Sequence, residues 1–309
     1  MKIIFMGTPE FAVSCLNRVI NDGHDVVLVV TQADKPKGRG LTLALPPVKV
    51  CALTHGIEVY QPLKLKNNKE AWEIINKCQA DAIVVVAYGQ ILPPEILELP
   101  KYGCINVHAS LLPKYRGAAP IQWAVINGEE QTGVTTMLMD KGLDTGDMLL
   151  KRSVEIMPDM TAGELHDLLA QEGAAALSDT LELMKSGRLN PIKQDNSLSS
   201  YAPILTRDLS PIDFNKPAIS VHNLIRGLNP WPSAYTKVGG KTLKVHSACP
   251  INQDRASPGT VISTSPLTIA CGDNTAIELI EVQLEGAKRM ASDVYLRGHP
   301  LEIGRVLPD

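Results

Sequence analysis

Residues 2–31 read KIIFMGTPEFAVSCLNRVINDGHDVVLVVT, and this stretch decides the fold class. Lys2 to Met6 is a short β-branched and aromatic run, a strand by composition. Thr8, Pro9 and Glu10 then supply an N-cap, a first-turn proline and a first-turn acid. Phe11, Leu16, Val19 and Ile20 fall on a helical face that stops near Gly23. Asp25 to Thr31 is apolar almost throughout, as expected of a parallel strand covered on both faces. Strand, helix and strand make one βαβ unit.

The alternation continues with a polar-faced helix around Lys69 to Cys78 and strands at Asp81 to Ala87, Cys104 to His108 and Val134 to Met139. Strands alternating with helices predict a doubly wound, mostly parallel sheet. Thr161 and Glu164 form a T-x-x-E capping box, followed by Leu165, Leu168, Leu169, Leu177 and Leu181 at helical spacing and a stop at Gly187. That long helix closes a first domain over 1–189. Residues 190–207 are polar and turn-rich, without a period, and read as a linker. Over 208–309, prolines punctuate short runs at Thr242 to Ser247, Gly259 to Ser263, Leu267 to Cys271 and Ala276 to Val282, which predicts a smaller C-terminal β-barrel domain. In RGLNPWPSAY, residues 226–235, the Pro-Trp-Pro turn is expected to bury its indole.

Composition sets the outer limits. The chain of 309 residues is long enough for two domains, and 44% hydrophobic against 20% charged residues is ordinary globular usage. Thirty Lys and Arg against 33 Asp and Glu leave a net charge of −3, which excludes a protein that holds nucleic acid by bulk electrostatics. Six cysteines without a C-x-x-C pair exclude a zinc knuckle and read as reduced thiols. The apolar start is shorter than a signal-peptide core, and no run approaches the roughly 18 to 20 residues of a membrane span, so the expected location is the cytoplasm.

The chemistry concentrates in residues 105–147. Asn106 and His108 lie two apart near the end of a predicted strand, so both side chains point to one face. In open α/β sheets, ligands bind at that edge. A carboxamide can bind charge developing on a carbonyl oxygen, and an imidazole can add a donor or move a proton. Asp144, in the loop after the Val134 to Met139 strand, is the carboxylate chosen to orient His108. No Ser, Cys or Thr sits in a G-x-S-x-G elbow, which favours direct attack by a substrate nucleophile. The ordinary alternatives are a histidine bonded to backbone at a sheet edge and aspartates capping turns in a Gly-rich loop. The spacing of Asp140, Asp144 and Asp147 lacks the partners of a calcium loop, so no metal is expected.

SLLPKYRGAAP at 110–120 followed by GLDTGD at 142–147 resembles the signature of the formyltransferases that use 10-formyltetrahydrofolate. FMGTPEFAV at 5–13, DKPKGRG at 34–40, VVVAYGQILP at 84–93 and RGLNPWPSAY extend the resemblance over nearly the whole chain. It implies a Rossmann-like catalytic domain, a linker and a smaller OB-like β-barrel domain that binds tRNA. Asn106, His108 and Asp144 fall where the family places its catalytic Asn, His and Asp. The resemblance further implies transfer of a formyl group to the α-amino group of methionine on initiator tRNA. Folate contacts are then carried over to Ser110, Leu111, Leu112 and Pro113, and to Tyr88, Ile91, Leu92 and Asp140 around the pterin. The basic loop with Lys35, Lys37 and Arg39 is assigned to tRNA. No obligate protein partner is implied. Competing readings are a formyltransferase for an amino sugar nucleotide or a small amine, a hydrolase of formyl-folate, a non-catalytic RNA-binding module, and a nicotinamide oxidoreductase, the last disfavoured because MGTPEFAV lacks G-x-G-x-x-G.

Overall fold

The computed structural model describes residues 1–37, 42–252 and 256–309. Arg39 lies outside these residues, and only the backbone of Lys37 is described. The chain divides into two compact units. The first comprises 1–117, 131–154 and 166–202, the second 118–130, 155–165 and 203–309.

The first unit is built on strands β1 (Lys2–Gly7), β2 (Asp25–Val30), β3 (Val59–Tyr60), β4 (Ala82–Val86), β5 (Cys104–His108), β6 (Gln131–Leu138) and β7 (Met148–Glu155). Their order in the sheet is β7-β6-β5-β4-β1-β2-β3. The chain steps outward from β1 to β3, then returns to β4 on the other side of β1, so the direction of winding switches between β1 and β4. All pairs from β3 to β5 are parallel. Every residue of β4 is buried, which is why its sequence, AIVVV, carries no polar alternation. Helix α1 (Glu10–Asn21) buries Phe11, Ala12, Cys15, Leu16 and Val19.

Two expectations need correction. The strand expected at 134–139 spans Gln131–Leu138 and runs antiparallel to β5. The helix between them, Pro120–Ile126, belongs to the second unit, so β5 and β6 are not consecutive strands of a βαβ unit within the first. Thr8 does not cap α1. Pro9 takes that position, and the Thr8 hydroxyl donates to Tyr88 O (3.0 Å) and accepts from Gln32 N (3.4 Å). It ties together the ends of β1, β2 and β4.

Gly7 ends β1 because the turn admits no side chain. A Cβ there would lie 2.8 Å from Ala12 Cβ and 2.9 Å from Phe5 Cε1. Gly7→Ala is expected to cost about 1 to 3 kcal/mol, as overpacking does, read as a lower urea midpoint. An unchanged midpoint would show that the turn yields freely.

The second unit is a separate antiparallel sheet of β8 (Ala234–Val238), β9 (Lys241–Ile251), β10 (Val261–Thr264), β11 (Leu267–Ala270) and β12 (Ala276–Leu284). The order is β8-β9-β12-β11-β10, with Met290–Ala291 also pairing β12. Among the described residues β8 and β10 do not pair with each other, so the path stays open. Val221, Ile225, Leu243, Val245, Ile277 and Leu279 belong to its core. The indole of Trp231 is not buried as expected: it is 56% exposed. The turn aims it outward, and Ala234 and Ser233 fill the interior instead. The T-x-x-E box forms as read, with Thr161 N donating to Glu164 Oε2 (2.8 Å) and Glu164 N to Thr161 Oγ1 (3.2 Å) at the start of the helix Ala162–Lys185.

Candidate active site

Strand β5 presents Asn106 and His108 on one face, beside β4 and opposite Met137 and Thr135 of β6. His108 is 6% exposed and wedged between two acceptors. Its Nε2 lies 2.8 Å from the carbonyl of Tyr115, and its Nδ1 lies 3.7 Å from Asp144 Oδ2. A nitrogen facing a carbonyl must carry the proton, so Nε2 is spent on the backbone. Nδ1 is the nitrogen left for chemistry, and a proton there faces a carboxylate. The 3.7 Å separation is beyond a direct hydrogen bond, a length common for catalytic contacts in enzymes without substrate. Asp144 Oδ2 also accepts from Gly117 N at 2.8 Å. The Asn106 carboxamide is half-buried, and among the described residues it has no hydrogen-bond partner.

The turn after β5 is braced internally. Thr135 Oγ1 donates to Ser110 O (2.7 Å) and accepts from Leu112 N (3.1 Å), while Ser110 Oγ donates to Lys114 O (2.7 Å). Lys151 Nζ caps Leu112 O, and burial pulls its ammonium pKa below the usual lysine value. Ser110 and Leu112 are fully buried, the latter against Met137 and Met148. Leu111 and Pro113 are half-buried. Tyr88 and Leu92 pack in the core with Ile4, Met6 and Val85, whereas Ile91 is 85% exposed. Asp140 is exposed and ties its own loop, accepting from Gly142 N (2.9 Å) and Thr145 Oγ1 (2.7 Å). Lys35 donates to Gln32 Oε1 (2.8 Å) and, with Gln32, Lys64, Gly89 and Gln90, lines an open cavity of about 310 Å³ whose walls do not include Asn106, His108 or Asp144. The structure thus brings His108 and Asp144 together beside Asn106, and holds Asp140 and Lys35 in other company.

Residues 1–181 match the family described as formyl transferase, and residues 205–300 match its C-terminal domain. The chain belongs to the formyltransferase family. It is 53% identical to the methionyl-tRNA formyltransferase of Caldanaerobacter subterraneus subsp. tengcongensis, over 99% of this chain and 100% of that protein. It is 52% identical to that of Clostridium novyi with the same coverage. The N-formyltransferase from Helicobacter canadensis, solved with folinic acid and dTDP-3-aminofucose, shares the fold at a TM-score of 0.68 and 19% identity, covering 90% of this chain and 98% of that one. HypX from Aquifex aeolicus in complex with tetrahydrofolic acid matches with a TM-score of 0.62 and 16% identity, over 100% of this chain and 51% of that one.

In this formyltransferase several groups around the site left no mark that sequence reasoning picked up. The Tyr115 carbonyl and Gly117 N–H are backbone groups, common to every residue type. Gln194 and Ser200 sit in the stretch read as a linker. The Tyr88 hydroxyl, buried without a hydrogen-bond partner among the described residues, is a liability with burial raising its pKa. Tyr88→Phe is expected to raise stability by about 1 kcal/mol, since an unsatisfied buried hydroxyl costs about 1 to 3, and to leave the KM for folate unchanged. A raised folate KM would show instead that the hydroxyl serves the ligand.

Proposed function

We infer that the protein transfers the formyl group of 10-formyltetrahydrofolate to the α-amino group of methionine esterified to initiator tRNA, giving N-formylmethionyl-tRNA. The observation that carries this reading is identity of 52 to 53% to methionyl-tRNA formyltransferases over 99% of the chain. An α-amino group titrates at about 7.7 to 8, and an ester lowers that value, so much of the nucleophile is neutral near neutral pH. Little base strength is required.

10-Formyltetrahydrofolate supplies the formyl carbon, which the amine attacks directly. Asn106, its amide unpaired within the described residues, donates to the formyl oxygen as charge gathers there. When its ring is protonated, His108 adds Nδ1–H as a second donor, the ring being fixed through Nε2 by Tyr115 O. Asp144 steadies that proton and accepts the one the amine gives up, directly or through water. The C–N bond to the folate nitrogen then breaks, and that nitrogen leaves with a proton. The donor set fits a reaction whose only hard step is stabilising an oxyanion.

Folate lies beside these groups, against Ser110 to Pro113, with the half-buried Leu111 and Pro113 as apolar walls and the buried Ser110 and Leu112 bracing the turn beneath them. Tyr88, through its ring and not its hydroxyl, borders the pterin with Ile91, Leu92 and Asp140. Residues 208–309 form an OB-like module that holds tRNA, and 190–207 link it to the catalytic domain of 1–189. Lys35, Lys37 and Arg39 meet the acceptor arm. The six thiols are free, in keeping with a reducing cytoplasm.

The test is incubation with 10-formyltetrahydrofolate and methionyl-tRNA, with free methionine and an amino sugar nucleotide as comparison acceptors. Formylation of methionyl-tRNA alone is expected, and formylation of the sugar nucleotide alone would overturn the reading. Lys35→Ala and Arg39→Ala should each raise the KM for methionyl-tRNA about fivefold, matching roughly 1 kcal/mol for one exposed charge contact, and leave the KM for folate alone. Equal loss of both would argue against a tRNA role.

A further inference from the structure

Two side-chain-bearing residues at the site have left-handed backbone: Tyr115 at φ 60° and Asp144 at φ 54°. Such residues rarely hold that conformation unless their surroundings fix it. One supplies the carbonyl that anchors His108, and the other supplies the carboxylate that faces it. Both are held from one short segment. Ser200 Oγ accepts from Tyr115 N (2.8 Å), and Ser200 O accepts from Arg116 N (2.9 Å). Gln194 Nε2 donates to Asp144 O and to Gly146 O, each at 2.8 Å. The other end of that amide, Oε1, accepts from Arg116 Nε (3.0 Å) and Nη2 (2.7 Å), and Arg116 Nη2 also reaches Asn196 Oδ1 (2.8 Å).

All four hydrogen-bonding positions of the Gln194 amide are therefore filled, two on the Asp144 loop and two on the Tyr115 turn. It ties the backbone of the Asp144 loop to the side chain of Arg116, the residue after Tyr115. Tyr201–Ala202 continues the grip by pairing in parallel with Arg116–Gly117, whose Gly117 N–H goes to Asp144 Oδ2. From Ile192 to Ser200 every residue except Gln194 is exposed, so the segment adds little to the core.

We propose that Gln194 and Ser200 are positioning residues for the transfer, setting the His108 to Asp144 distance by clamping the Asp144 loop and the Tyr115 turn to one strap. This rests on the reading that His108 and Asp144 carry the chemistry. A misplacement of about 1 Å can cost up to a hundredfold in rate. In the full-length protein, Gln194→Ala should lower kcat by about ten- to a hundredfold, with both KM values within about twofold and a urea midpoint that shows the protein fully folded under assay conditions. Ser200→Ala should follow it, and Ser200→Thr, which keeps the hydroxyl, should restore most of the rate.

The deciding measurement is a double-mutant cycle. In an Asp144→Asn background the Gln194→Ala effect should nearly vanish, because residues that act as a unit are not additive. Additive losses, or a wild-type kcat in folded Gln194→Ala, would overturn the proposal while a large loss in Asp144→Asn alone left the underlying reading intact. If instead His108→Ala and Asp144→Asn were themselves near normal, the reading of the site would be the part that failed.

Discussion

Asn106→Ala is expected to transfer formyl groups at least a hundredfold more slowly than the parent, with the KM for each substrate little changed. Removing one oxyanion donor typically costs about 2.7 to 4 kcal/mol, a factor of about a hundred to a thousand in turnover. The loss should fall on kcat, since the donor meets full charge only when the amine has added to the formyl carbon. Stability should hardly move. The Asn106 amide is half-buried and has no partner among the described residues, so its removal orphans no other polar group. Asn106→Asp should be worse than alanine, because it sets a negative charge against the developing one. Steady-state kinetics with each substrate varied, beside a urea midpoint, decides the matter. Near-normal turnover in a folded Asn106→Ala protein would take this residue off the list of catalytic groups.

Asp144→Asn should be the more damaging change, with turnover down about a thousandfold or more. The replacement keeps an oxygen for Gly117 N–H, which now lies 2.8 Å from Oδ2, so the loop can stay in place. What it loses is the charge facing His108 Nδ1 at 3.7 Å and, in the proposed mechanism, the acceptor for the amine's proton. An amide nitrogen there would donate to the Nδ1 lone pair and remove that donor from the site. In a Ser-His-Asp triad the same exchange costs about ten-thousandfold with geometry preserved. Because the remaining rate depends on how much amine is already neutral, the variant's kcat should climb as pH rises from about 7 to 9, while the parent levels off. A variant within tenfold of the parent, with a flat pH profile, would leave His108 and Asn106 to act alone.

Much of this arrangement was legible in residue order. The βαβ start at 2–31 follows from a run of apolar residues, a proline and acid at a helix entry, and a second apolar run, all local signals. The pairing of Asn106 with His108 follows from the two-residue period of a strand. The T-x-x-E box at Thr161 and Glu164 forms as read because both partners lie within one helical turn. The linker reading of 190–207 rested on missing periodicity, yet Gln194 and Ser200 use that irregular stretch to reach the Asp144 loop and the Tyr115 turn. Polar, turn-rich composition marks a segment that buries little apolar surface, and says nothing of which backbone it holds.

The local choices were thus set by the chain itself: which runs become strands, where helices begin, and which face of β5 carries an amide and an imidazole. Those depend on steric preferences and periods that span a few residues. Tertiary structure alone decided that β6 runs antiparallel to β5, that the Thr8 hydroxyl ties strand ends together, that Trp231 faces solvent, and that Asp144 stands 3.7 Å from His108. The strand direction, the Thr8 tie and the place of Asp144 depend on where distant backbone carbonyls and amides come to lie, and every residue carries the same backbone groups, so no residue type announces them.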